Sequence, residues 1–86
     1  MPGTAFANVN HQAGRADAQE FLRRGIACSV TGSESDDLIS AHKWFNLAAM
    51  QGNSEAAQLR REIADEMSEA EIAQAQRAAR HFLTRH

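Results

Sequence analysis

The stretch from Leu38 to Gln51 restricts the fold more than any other part of the chain. It carries Ala41, Trp44, Phe45, Leu47, Ala48, Ala49 and Met50, with Lys43 as its only full charge. At helical spacing these side chains wrap more than a single stripe. A helix apolar over so much of its circumference needs neighbours on more than one side. Gly52 follows at the C-terminal cap position. The chain is therefore predicted to build around this helix. At 86 residues it has room for one small domain.

Three further helical segments are predicted around it. The first runs from Asp17 to Val30, with Ala18, Phe21, Leu22, Gly25 and Ile26 on one face and Glu20 and Arg24 placed to pair one turn apart. Asp17 and Glu20 have the spacing of a capping box. Gly25 costs about 1 kcal/mol in a helix interior, either because a neighbouring helix comes close there or through simple tolerance. A polar loop, TGSESDD, separates this segment from the central helix, and Asp36 or Asp37 is expected to cap the latter. The third segment runs from Ser54 to Met67, burying Ala56, Leu59, Ile63 and Met67, with Arg61 and Asp65 placed to pair. The fourth runs from Glu69 to Leu83, with Ile72, Ala75, Ala79, Phe82 and Leu83 as its apolar stripe. Ser68 and Glu71 form a capping box in front of it. Since neither Gly nor Pro separates the last two segments, one long helix over residues 54–83 is the alternative. No window shows strand alternation. Short connections between amphipathic helices imply antiparallel neighbours. The fold class is thus all-α, built of antiparallel helical hairpins over residues 16–86, with residues 1–15 as a flexible N-terminal segment. The expected core comprises Phe21, Leu22, Trp44, Phe45, Leu59, Ile63, Ile72 and Phe82. Trp44 and Phe45 are neighbours pointing about 100° apart. At least one is expected in the core, and the other faces a different neighbour.

Several function classes fit poorly. The net charge is −2, whereas a general nucleic-acid binder needs a cationic excess. Arg23, Arg24, Arg60, Arg61, Arg77, Arg80 and Arg85 are interleaved with carboxylates nearly throughout, and only the stretch from Arg77 to His86 is locally basic. A single cysteine, Cys28, excludes an intrachain disulfide and suits a helical packing role. His11, His42, His81 and His86 lack the close-set spacing of a zinc site. His42 and Lys43 are expected to face solvent or a neighbouring helix. No phosphate-binding loop, dinucleotide fingerprint or nucleophile elbow occurs. The expectation is a protein without catalytic activity, metal or cofactor. Residues 1–15 lack the unbroken apolar run of a signal peptide, and no stretch approaches the roughly 18 apolar residues of a membrane span. A cytoplasmic location and no membrane association are expected.

Residues 37–53, DLISAHKWFNLAAMQGN, resemble the second helix of a Sel-one-like repeat, a bacterial relative of the tetratricopeptide repeat. Asp37, Ala41, Trp44, Phe45, Ala48, Ala49, Gly52 and Asn53 carry the likeness. Ala18, Leu22, Gly25 and Gly32 suit the preceding helix and turn. Cys28 stands where an aromatic is common, and the second loop glycine is absent. Residues 54–83 resemble the charged helix and Met-Ser-Glu-capped helix that close short Sel-one-like proteins of alphaproteobacterial type. The resemblance implies stacked helical hairpins, here one repeat followed by two capping helices. It also implies a role in protein–protein interaction or as an adaptor.

A single repeat cannot bury its own apolar face. The last two helices are expected to cover that face; a homodimer sharing it is the alternative. On this reading a protein partner binds the inner helix of the repeat, along Glu20, Arg23, Arg24 and Ala27. A small DNA-associated regulator using the basic C-terminal helix is a second reading, and a structural homodimer subunit a third.

Overall fold

A computed structural model describes residues 17–30 and 35–85 of the chain. The expected flexible segment 1–15 lies outside the described residues, as does the turn assigned to Gly32. The described residues form helices and turns only, so the all-α class holds. The helices are α1 (17–30), α2 (Ser35–Met50), α3 (Ser54–Ala64) and α4 (Glu69–Arg85).

Local chemistry sets most helix ends. Gly52 closes α2 in a left-handed conformation, φ 95°, which costs a glycine least. Its N–H donates to the Ala49 carbonyl at 2.9 Å, and that of Asn53 donates to Ala48 at 3.1 Å. This pair of bonds is the Schellman ending and satisfies two otherwise orphaned carbonyls. Asn53 then starts α3 at once, its side-chain oxygen accepting from the Ala56 N–H at 2.8 Å. Two tightly joined caps make α2 and α3 a hairpin.

The break between α3 and α4 is also real, so the single long helix does not form. The Ser68 N–H donates to the Glu71 carboxylate at 2.8 Å, and the Glu71 N–H donates to the Ser68 hydroxyl at 3.1 Å. This reciprocal capping box stabilises a new helix start at the expense of continuing the old one. The third helix accordingly ends at Ala64, three residues before its predicted end at Met67, and residues 65–67 turn. Asp65 falls past the helix end, and Arg61 and Asp65 do not pair. The central helix begins three residues before its predicted start at Leu38. Asp36 and Asp37 are therefore helical rather than capping, and Asp37 places a negative charge near the positive end of the helix dipole.

Helix α2 is the centre of the molecule, with α3 and α4 both packed against it. On one side Leu22 of α1, Ala41, Phe45 and Ala48 of α2, and Ala56 and Ile63 of α3 form a buried cluster. Phe45 is 2% exposed, and a Cβ on Gly25 would lie 2.5 Å from its ring atoms. Gly25 is thus a notch that lets α1 lie directly on the ring, and close approach explains its presence. On the other side Phe82 of α4 meets Trp44 edge-on, ring centroids 5.5 Å apart. Leu47, one turn beyond Trp44 on α2, is buried, as are Ala75 and Ala79 on α4. Met50 and Leu83, read from their spacing as packing residues, are exposed instead, at 59% and 45%. Both sit near helix ends, where the covering neighbour runs out.

Candidate functional site

Helix α1 is too short on apolar partners to cover all of the surface it shares with α2 and α3. The result is an open groove of about 740 Å³ between α1 and α3, floored by α2. Ile26, Ser29 and Val30 form its α1 wall, at the i, i+3, i+4 spacing of one helix face. Leu38 and Phe45 contribute the floor, and Leu59 and Ile63 the α3 wall. The buried ring of Phe45 makes the floor rigid. Val30, 77% exposed, stands on the lip with no apolar cover among the described residues. Glu55, Glu62 and Glu66 complete the lining along α3 and the turn after it. All three are exposed. An open apolar trough with a polar edge accommodates the apolar face of another chain better than it encloses a small molecule.

The residues predicted to bind a partner lie elsewhere on α1. Glu20 and Arg24 sit on a face roughly 80–160° round the helix from Ile26 and Val30, while Arg23 and Ala27 lie between the two faces, Arg23 about two turns before Val30. Glu20 accepts a bond from Arg24 at 3.1 Å, the pairing expected from their spacing, and Arg23 approaches the same carboxylate at 3.6 Å. Arg24 also stands 5.0 Å from the Trp44 ring centroid. Its guanidinium is thus engaged inside the molecule twice. Ala27 is exposed. None of the four lines the groove.

The predicted core residues divide in two. Leu22, Phe45 and Ile63 are buried. Phe21, Trp44, Leu59, Ile72 and Phe82 are half-buried. Phe21, Trp44 and Phe82 form a triangle of rings in which Phe21 stacks on Trp44 at 5.6 Å and meets Phe82 edge-on at 5.7 Å. This places three helices, α1, α2 and α4, in mutual contact. Lys43 lies 4.1 Å from the indole centroid, so two cations flank the partly exposed ring. Each aromatic contact is worth about 0.5–1.5 kcal/mol beyond its burial.

His42 is buried between helices, which settles the choice between solvent and a neighbouring helix. Its Nδ1 has no hydrogen-bond partner among the described residues. Burial holds its pKa below the ordinary 6.5, and the positive charge of Arg60 adds to this. Arg60 itself donates to the Asn46 side chain at 2.9 Å, tying α3 to α2. Among the described residues no three of His, Cys, Asp and Glu converge on a metal-sized site. Among the described residues no helix is long and apolar enough to cross a membrane.

The groove was not foreseen as such. Ile26, Phe45, Leu59 and Ile63 belong to apolar stripes expected to be covered. The one available signal was Val30, an apolar residue at the end of α1 beyond its own stripe. No protein-family model, curated protein or solved structure matches this chain.

Proposed function

We propose that this protein is a non-catalytic interaction module that seats an amphipathic helical segment of a partner protein in the α1–α3 groove. The observation that carries the reading is the apolar trough between Ile26, Val30, Leu59 and Ile63, left open over a rigid Phe45 floor. A helix laid there would bury its apolar face on a preformed surface, with little ordering cost to this chain. The resemblance of residues 37–53 to a Sel-one-like repeat supports the same mode of action, since such repeats work as adaptors in stacked hairpins. In this reading α1 and α2 are the repeat, and α3 and α4 flank it from α2. The working location is the cytoplasm.

Three helical peptides test it. They share leucines at i, i+4 and i+7 and differ only in flanking charge: cationic, neutral or anionic. Methyl NMR of the full chain should show saturable shifts at Ile26, Val30, Leu38, Leu59 and Ile63 with at least one peptide. Ile72 and Leu83 on α4 should stay still. Val30→Ser should weaken binding without lowering the melting temperature, because Val30 is already exposed. Peptides that move only α4, or nothing, refute the reading. A DNA-binding role for the α4 tail would instead give retardation of a duplex at low salt and a steep loss with added salt.

A further inference from the structure

We infer that the segment seated in this groove is cationic: a helix whose apolar stripe is bordered by Lys or Arg. The inference rests on the groove being a docking site and goes on to its charge selectivity. Among the described residues every charged one that lines the groove is a carboxylate, namely Glu55, Glu62 and Glu66. The α1 wall brings no charge to oppose them, only Ile26, Ser29 and Val30. Among the described residues none of the three has an ion-pair partner; Glu62 accepts only a 3.4 Å bond from the Gln58 amide.

Among the described residues no cation of the neighbourhood lines the groove. Arg60 reaches across to Asn46 on α2. Arg24 pairs with Glu20 at 3.1 Å on another face of α1, and Arg23, one turn before Ile26 but outside the groove lining, contacts the same carboxylate at 3.6 Å. Arg61 is exposed and does not line the groove. The Glu20 carboxylate of α1 is met by two cations, whereas the three along the groove are met by none among the described residues.

A docked helix would push water away from these carboxylates. With a neutral partner their desolvation goes uncompensated; with an anionic one repulsion is added; with a cationic one the loss is made good by charge-assisted contacts. Glu55 and Glu62 lie two helical turns apart, about 10 Å along α3. A partner with basic residues seven apart, beside an apolar stripe, matches both the charge and the spacing. A nucleic acid does not, since its phosphates would face the same three carboxylates.

The peptide set gives the test, read as dissociation constants by fluorescence anisotropy on the full chain. At low salt the cationic peptide should bind about tenfold tighter than the neutral one, the sum expected of three exposed ion pairs. That advantage should vanish at about 0.5 M salt, where screening is short-ranged. It should vanish equally in the triple variant Glu55→Gln, Glu62→Gln, Glu66→Gln, in which the neutral peptide should bind no less tightly than before, because the uncompensated desolvation of the carboxylates is gone. The three side chains are exposed, and a thermal melt of the variant verifies that the fold survives. Equal affinity for neutral and cationic peptides, both moving the groove methyls, overturns the inference and leaves the docking site standing. Absence of methyl shifts with all three removes the docking site and the inference together. Sedimentation adds a further outcome. Self-association broken by the triple variant would assign the groove to the basic α4 tail of a second copy, upholding the cationic occupant and overturning the separate partner protein.

Discussion

The two sides of α2 solve the same packing problem differently. Towards α4 the contact is sealed by many small contributions: Leu47 and the alanines at 75 and 79 are buried, and the rings of Phe21, Trp44 and Phe82 close the junction. Towards α1 and α3 much of the packing depends on one ring, Phe45, lodged in the notch at Gly25. Beyond that ring the helices part and the groove opens. Distributed packing gives a closed seam. Concentrated packing holds three helices together while leaving surface free between two of them.

The largest expected effect tests this concentration. Phe45→Ala should destabilise by about 3–5 kcal/mol, since it removes the groove floor and leaves a cavity among three helices. A loss below about 1 kcal/mol in urea unfolding would show that the ring is not the keystone of this side. Next comes Gly25→Ala. Alanine is ordinarily the better helix former, yet here its methyl would meet the Phe45 ring at 2.5 Å. Destabilisation of about 1–3 kcal/mol is expected, the usual cost of overpacking. A stabilised variant would mean that α1 can lift away freely.

Phe82→Leu sharpens the other half of the comparison. It keeps apolar bulk on α4 but removes two edge contacts, and should cost about 1–2 kcal/mol. A cost equal to that of Phe45→Ala would erase the distinction between the two sides. The smallest effect belongs to His42. Its folded pKa is held below 6.5, so the unfolded chain binds the proton more tightly. Its contribution to stability is present above pH 6.5 and is lost as pH falls through the lower folded value. His42→Gln should flatten stability against pH across that window, measured by urea midpoints at matched ionic strength. An unchanged slope would show that the imidazole is not buried uncharged.

How far the residues reveal these features depends on the range of the interaction. The Ser68–Glu71 box could be read because donor and acceptor are three residues apart, and no distant neighbour is needed to form it. The same holds for Gly52 and for the Glu20–Arg24 pair. Gly25 was ambiguous in sequence, since a helix glycine looks alike whether or not a ring lies over it. Trp44 and Phe45 were recognisable as packing residues, but not which would be buried and which would stay partly wet with Arg24 and Lys43 around it. The groove was least legible. Glu55, Glu62 and Glu66 read as an ordinary solvated face until α1 is placed opposite them.

The chain by itself determined the stop at Gly52, the new start at Ser68–Glu71 and that α2 would be enclosed from two sides, because capping and apolar periodicity act within a few turns of backbone. Only the tertiary arrangement decided which ring fills the notch at Gly25, that His42 loses its water, and that three carboxylates end up beside an uncovered apolar trough. Those outcomes depend on the distance and angle between helices far apart in sequence, and no local preference encodes them.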